Sequence, residues 1–189
     1  MRLKKTTAAM MVAALGATVG AASVARPVRA AAEKGNVAGP DKQFLDDTYS
    51  INESEIMLGH LAEERGTARP VTDFAKRMIS DHTKALDASK QVASKVHLTL
   101  PSTLDSPTKA LYDDLSKKNG RDFDTAYLDA MVTGHDSAVL EFEYEAETGR
   151  NAAIKKYARD ELPTLREHLA LARKAQQEEQ TGVAQPQKP

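Results

Sequence analysis

The sequence predicts an all-α protein: a four-helix bundle with a short extra helix in one long connection. Three observations carry this. Four stretches repeat apolar residues at alternating spacings of three and four, the period of a helix face packed against other helices. Glycine and proline punctuate the boundaries of those stretches. No segment alternates as a half-buried strand does, and no glycine-rich phosphate loop is present.

Residues 1–32 read as a secretory signal peptide. Arg2, Lys4 and Lys5 make a basic start, Ala8 to Ala25 is apolar, and Ala30-Ala31-Ala32 offers small residues for cleavage. The rival is an uncleaved anchor, which a short run of mostly Ala, Gly and Val suits poorly. Residues 33–40 read as a linker. The chain holds 26 Lys+Arg against 27 Asp+Glu, and Arg2, Lys4, Lys5, Arg26 and Arg29 all leave with the signal segment. The remainder is acidic and lacks a basic cluster, which argues against nucleic acid as a partner. Membrane association is expected only through the signal peptide or peripherally; no protein partner is specified. The absence of Cys excludes disulfide and thiolate chemistry.

The first helix, α1, is expected over residues 41–65, with Phe44, Thr48, Ile51, Glu55, Leu58 and Ala62 along its buried seam. Gly66 suits its end and Pro70 the first turn of α2, residues 70–96. The short turn makes α1 and α2 antiparallel neighbours. The α2 seam is Val71, Ala75, Met78, His82, Ala85, Ser89, Val92 and Val96, with Pro101 as its stop. Ser106-Pro107 opens a short α3, about 107–118, ended by Asn119-Gly120. This connection can cross the bundle or return locally. Helix α4, residues 123–147, has the seam Leu128, Met131, His135, Ala138 and Phe142. Gly149 ends it, and Asn151 caps α5, residues 151–175, with Ile154, Ala158, Glu161, Leu165, His168 and Ala172. Residues 176–189 lack an apolar face and are expected to be disordered. Phe74-Ala75-Lys76-Arg77 and Tyr157-Ala158-Arg159 echo each other, a hint that one helix pair was duplicated.

Glu55, His82, His135 and His168 interrupt otherwise apolar seams. Measured from the turns, the first three stand near one height, with His168 about a turn away and Glu161 bracketing the level. Two readings follow. Neutral imidazole and carboxylate suit a single zinc, iron or copper ion. Alternatively the four form a buried hydrogen-bonded network that fixes helix register. His60 falls off its seam and is expected in solvent; Asp81, Asp136 and Glu167, beside the seam histidines, are expected on a solvated face, with support of the histidines as the alternative. Met57, Met78 and Met131 read as core filler, and Glu141, Glu143, Glu145 and Glu147 as a wet face. Asn52-Glu53-Ser54 matches a glycosylation sequon inside a helix, where it carries little meaning.

Asp41-Lys42-Gln43-Phe44-Leu45, Glu55-Ile56-Met57-Leu58-Gly59-His60-Leu61-Ala62, Val71-Thr72-Asp73-Phe74-Ala75-Lys76-Arg77-Met78 with Asp81-His82, Tyr127-Leu128-Asp129-Ala130-Met131-Val132 with His135, and Leu162-Pro163 with His168 together resemble the domain-of-unknown-function 4142 family. The resemblance covers residues 41–175. It implies a ferritin-like fold, bacterial origin and export to the periplasm or outer membrane, and no established activity. Ferritin-like di-iron sites use Glu-x-x-His on two helices. Here Ile79 and Leu165 stand three before His82 and His168, so one metal ion or none is expected. Two functions are therefore set side by side: a non-catalytic envelope or stress-related bundle, and a metal-binding or metal-dependent redox protein.

Overall fold

The computed structural model describes residues 37, 39–101 and 106–181. The expected signal peptide, most of the linker and the last residues of the tail lie outside them. The helices are α1 Pro40–Arg65, α2 Arg69–Lys95, α3 Ser106–Leu115, α4 Gly120–Thr148 and α5 Ala152–Thr181. No strand occurs among the described residues.

The predicted seams are largely the buried faces; Val96 and Glu161 are only partly buried, and Leu162 is buried beside Glu161. In α1 the buried line runs Phe44, Thr48, Asn52, Glu55, Leu58 and Ala62, so Asn52 takes the place expected of Ile51. Met131 and Phe142 of α4 are buried as expected. Two apolar clusters result. One gathers Phe74, Met78, Leu115, Tyr127 and Met131; the other gathers Phe44, Val92, Phe142, Ile154 and Leu165.

Two buried carboxylates establish the topology. Asp124, in the second turn of α4, accepts from the backbone N–H of Thr67 at 3.0 Å and of Ala68 at 2.9 Å, and from the Thr67 hydroxyl at 2.6 Å. Asp41, in the first turn of α1, accepts from the backbone N–H of Arg150 at 3.0 Å and from that of Asn151. Each satisfies donors that open a helix in the other hairpin. The start of α4 therefore lies beside the start of α2, and the start of α1 beside the start of α5. So α1 and α5 run one way and α2 and α4 the other. The α2–α4 connection crosses the length of the bundle, the single long crossover of ferritin-like folds. Helix α3 rides in it, with Leu115 buried in the first cluster.

The two hairpins keep one constant offset in sequence. It relates Asp41 to Asp124, Leu45 to Leu128, Gly66 to Gly149, Phe74 to Tyr157 and Ala75 to Ala158. A Cβ on Gly66 would stand 2.6 Å from the Ala62 carbonyl oxygen, and one on Gly149 would stand 2.7 Å from that of Glu145. Both turns therefore require glycine for the same steric reason.

Helix α2 ends within a residue of the expected Val96, but its stop is local and not Pro101: His97 adopts φ 57°, and the Leu98 N–H bonds the Ala93 carbonyl at 2.9 Å, a left-handed cap. One end differs from expectation. Helix α5 continues through the segment expected to be disordered, as far as Thr181. Arg121 holds it there. Its Nε stands 3.2 Å from Glu179 Oε1, and its Nη2 donates to the Glu179 carbonyl at 2.9 Å. Lys, Gln and Glu are good helix formers once such an anchor exists.

Candidate metal centre

Between the two apolar clusters lies a polar layer. His82 from α2, His135 from α4 and His168 from α5 are 2%, 1% and 1% exposed. Their rings form a nearly equilateral triangle, with centroid separations of 5.7, 5.2 and 5.4 Å. One ring nitrogen from each falls in a set whose members lie within 4.8 Å of one another.

Each ring is held through one of its nitrogens. His82 Nδ1 lies 2.8 Å from Asn52 Oδ1. The Asn52 amide nitrogen points at the Tyr157 hydroxyl, 3.5 Å away, so its oxygen faces His82 and Nδ1–H is the donor. His135 Nδ1 lies 2.9 Å from the Met131 carbonyl oxygen, an acceptor only. His168 Nε2 lies 3.2 Å from Asp81 Oδ2. The remaining nitrogens, His82 Nε2, His135 Nε2 and His168 Nδ1, are buried without a hydrogen-bond partner. A neutral imidazole that donates from one nitrogen presents a lone pair on the other. Anchoring through an amide oxygen, a backbone carbonyl and a carboxylate is how metal-ligating histidines are oriented.

Burial keeps the His82 and His168 rings neutral. Burial, then repulsion from His135 and His168, holds His82 well below its ordinary value. Burial brings His168 down to about 4, against the pull of Asp81. Burial also works on Asp81 and pushes it up, but hydrogen bonds from Lys84, Arg77 and His168 outweigh this and hold its carboxyl well below the usual carboxylate range.

Three of the four expected residues thus converge. Glu55 does not join the 4.8 Å set. It is buried one turn further along α1, where its Oε1 is 3.9 Å from the point a Cβ on Gly134 would occupy. Burial raises its pKa, partly opposed by attraction to His135. The correction has a geometric cause. The α1–α2 turn is centred on Thr67, and Asn52 and His82 are equidistant from it, so Asn52 faces His82. Asn52 could have been found from that count and from its place in the apolar line. Asp81, expected in solvent, has a side chain only 12% exposed and reaches across to α5. Glu145 also departs from the expected wet face. It is 3% exposed, and burial and Asp41 push its pKa up to about 7 against the pull of Lys155. His60 is exposed as expected, with Glu63 3.6 Å away. Asp136 and Glu167 are exposed and pair with Arg173 and Arg77.

Three imidazoles can bind one zinc, copper or iron ion through nitrogens about 2.0–2.1 Å from it, with a position to spare. Few carboxylates stand near, so a dinuclear carboxylate site does not fit.

A family model described as "Domain of unknown function (DUF4142)" matches residues 26–175. No curated protein and no solved structure matches the chain.

Proposed function

The chain belongs to the DUF4142 family, and on that premise we propose that it is an exported envelope protein that binds one transition-metal ion on His82, His135 and His168. The observation that carries this reading is the set of three buried, unpartnered ring nitrogens, each belonging to a ring anchored through its other nitrogen. Leaving a buried polar atom unpaired costs about 1–3 kcal/mol. A network serving only helix register would pair these nitrogens with one another or with Glu55. A metal ion satisfies all three at once. Zinc, copper and iron all accept imidazole. Export to the periplasm or outer membrane is supported by the basic start, apolar run and alanines of residues 1–32. None of the described helices is long and apolar enough to cross a membrane.

The test is metal analysis of protein purified without an affinity tag, paired with thermal unfolding. Ligand at a hundredfold excess over Kd stabilises by about 2.7 kcal/mol, so Tm should rise by roughly 8 °C with the bound metal. The His135→Ala variant should lose most of that rise. Metal-free protein whose Tm ignores zinc, copper and iron would leave only the register-fixing network.

A further inference from the structure

A cavity reaches the histidine layer from between α2 and α5. His82 and His168 form part of its wall, with the partly exposed Asp81, Glu161 and Thr164 and the buried Leu165. The space open to the centre of a water molecule is about 10 Å³. That is room for one water and no more.

The cavity touches one flank of the triangle only. His135 is not in its wall, and the His135 ring packs instead against Phe74, 6.5 Å between centroids. His82 Nε2 and His168 Nδ1, both unpartnered, belong to residues of the wall. Three nitrogen ligands leave a four-coordinate ion one position short. Asp81 does not turn anions away, because it is matched by Arg77 and by Lys84 at 2.9 Å.

We propose that the fourth position of the three-histidine centre faces this cavity and takes an exogenous ligand no wider than a water molecule: water or hydroxide, or a linear monoanion entering end-on. This rests on the metal reading above and adds to it the size and entry route of what the metal binds. Leu165 belongs to the buried part of that wall, beside His82 and His168. A five-membered ring such as free imidazole is too wide for the passage.

The experiment loads the exported protein with copper(II) and titrates it with azide, then separately with imidazole. Direct azide ligation produces a ligand-to-metal charge-transfer band, and imidazole ligation changes the copper electron paramagnetic resonance spectrum. Azide should bind at least about tenfold more tightly than imidazole, the discrimination a close-fitting pocket gives. Leu165→Ala should bring the two within about threefold by widening the passage. Copper retained without an azide band means a protein group such as Glu55 fills the position, and overturns the inference while leaving the metal reading. Equal access for imidazole in the unmodified protein does the same. Copper not retained at all overturns both. The contrast in the unmodified protein decides the matter even if Leu165→Ala fails to fold.

Discussion

Residues Asp41 to Val92 on one side and Asp124 to Ala175 on the other keep step through two helices and a turn. What they share is architectural: the aspartate that clasps the opposite hairpin, the aromatic and Leu behind it, and the glycine of the turn. What they do not share is chemical. Asn52 stands where the other hairpin has His135, His82 where it has Leu165, Ala85 where it has His168, and Ala62 where it has Glu145. A two-fold arrangement supplies ligands in pairs. Three ligands require the pairing to be broken, and it is broken in the histidine layer.

The largest test of the shared half is the clasps. Asp124→Ala strands the N–H groups of Thr67 and of the buried Ala68 and should cost roughly 3 kcal/mol in urea unfolding. Asp41→Ala should cost about as much at the α4–α5 turn. A cost below about 1 kcal/mol for either variant would show that the hairpins are not held alike. The unshared half is sharpened by Asn52→Leu. It removes the acceptor of the His82 Nδ1–H and should cost roughly 2 kcal/mol in the metal-free protein. Metal affinity should fall about 10–100-fold, as when other oriented ligands lose their partner. Unchanged affinity would mean that the Asn52 bond does not orient the ring.

The smallest effect belongs to Glu145. Its folded pKa, about 7, is above the ordinary 4.5. Its carboxyl therefore imposes no penalty below pH 4.5, where both states are protonated. The penalty grows as pH rises from 4.5 to about 7 and is constant above that. Glu145→Ala gives this turn the residue its counterpart has. It should stabilise the protein by about 1 kcal/mol at pH 8 and make no such gain at pH 4, as read from Tm across pH. A gain equal at both values would point to packing, not charge.

The helices were legible because their seams repeat over many turns, and the three histidines because each interrupts a seam. Asn52 was masked because the three-four count put its neighbour Ile51 on the seam, and the buried line passes through Asn52 instead. Asp81 was hidden for another reason. A residue next to a seam position is turned about 100° from it, and whether it meets solvent or a second helix depends on which helices are adjacent. The crossover direction and the end of α5 depend on Asp124, Asp41 and Arg121 finding partners far along the chain, which periodicity does not encode.

The reciprocal clasps have a consequence for how the chain assembles. Each hairpin carries the residue that closes the other's turn and lacks the one that closes its own. Neither turn is satisfied in isolation, since the N–H groups of Thr67 and Ala68, and of Arg150 and Asn151, find their side-chain acceptor on the opposite unit. Docking is thus the step at which both units become complete, and the crossover serves as a tether that keeps their effective concentration high.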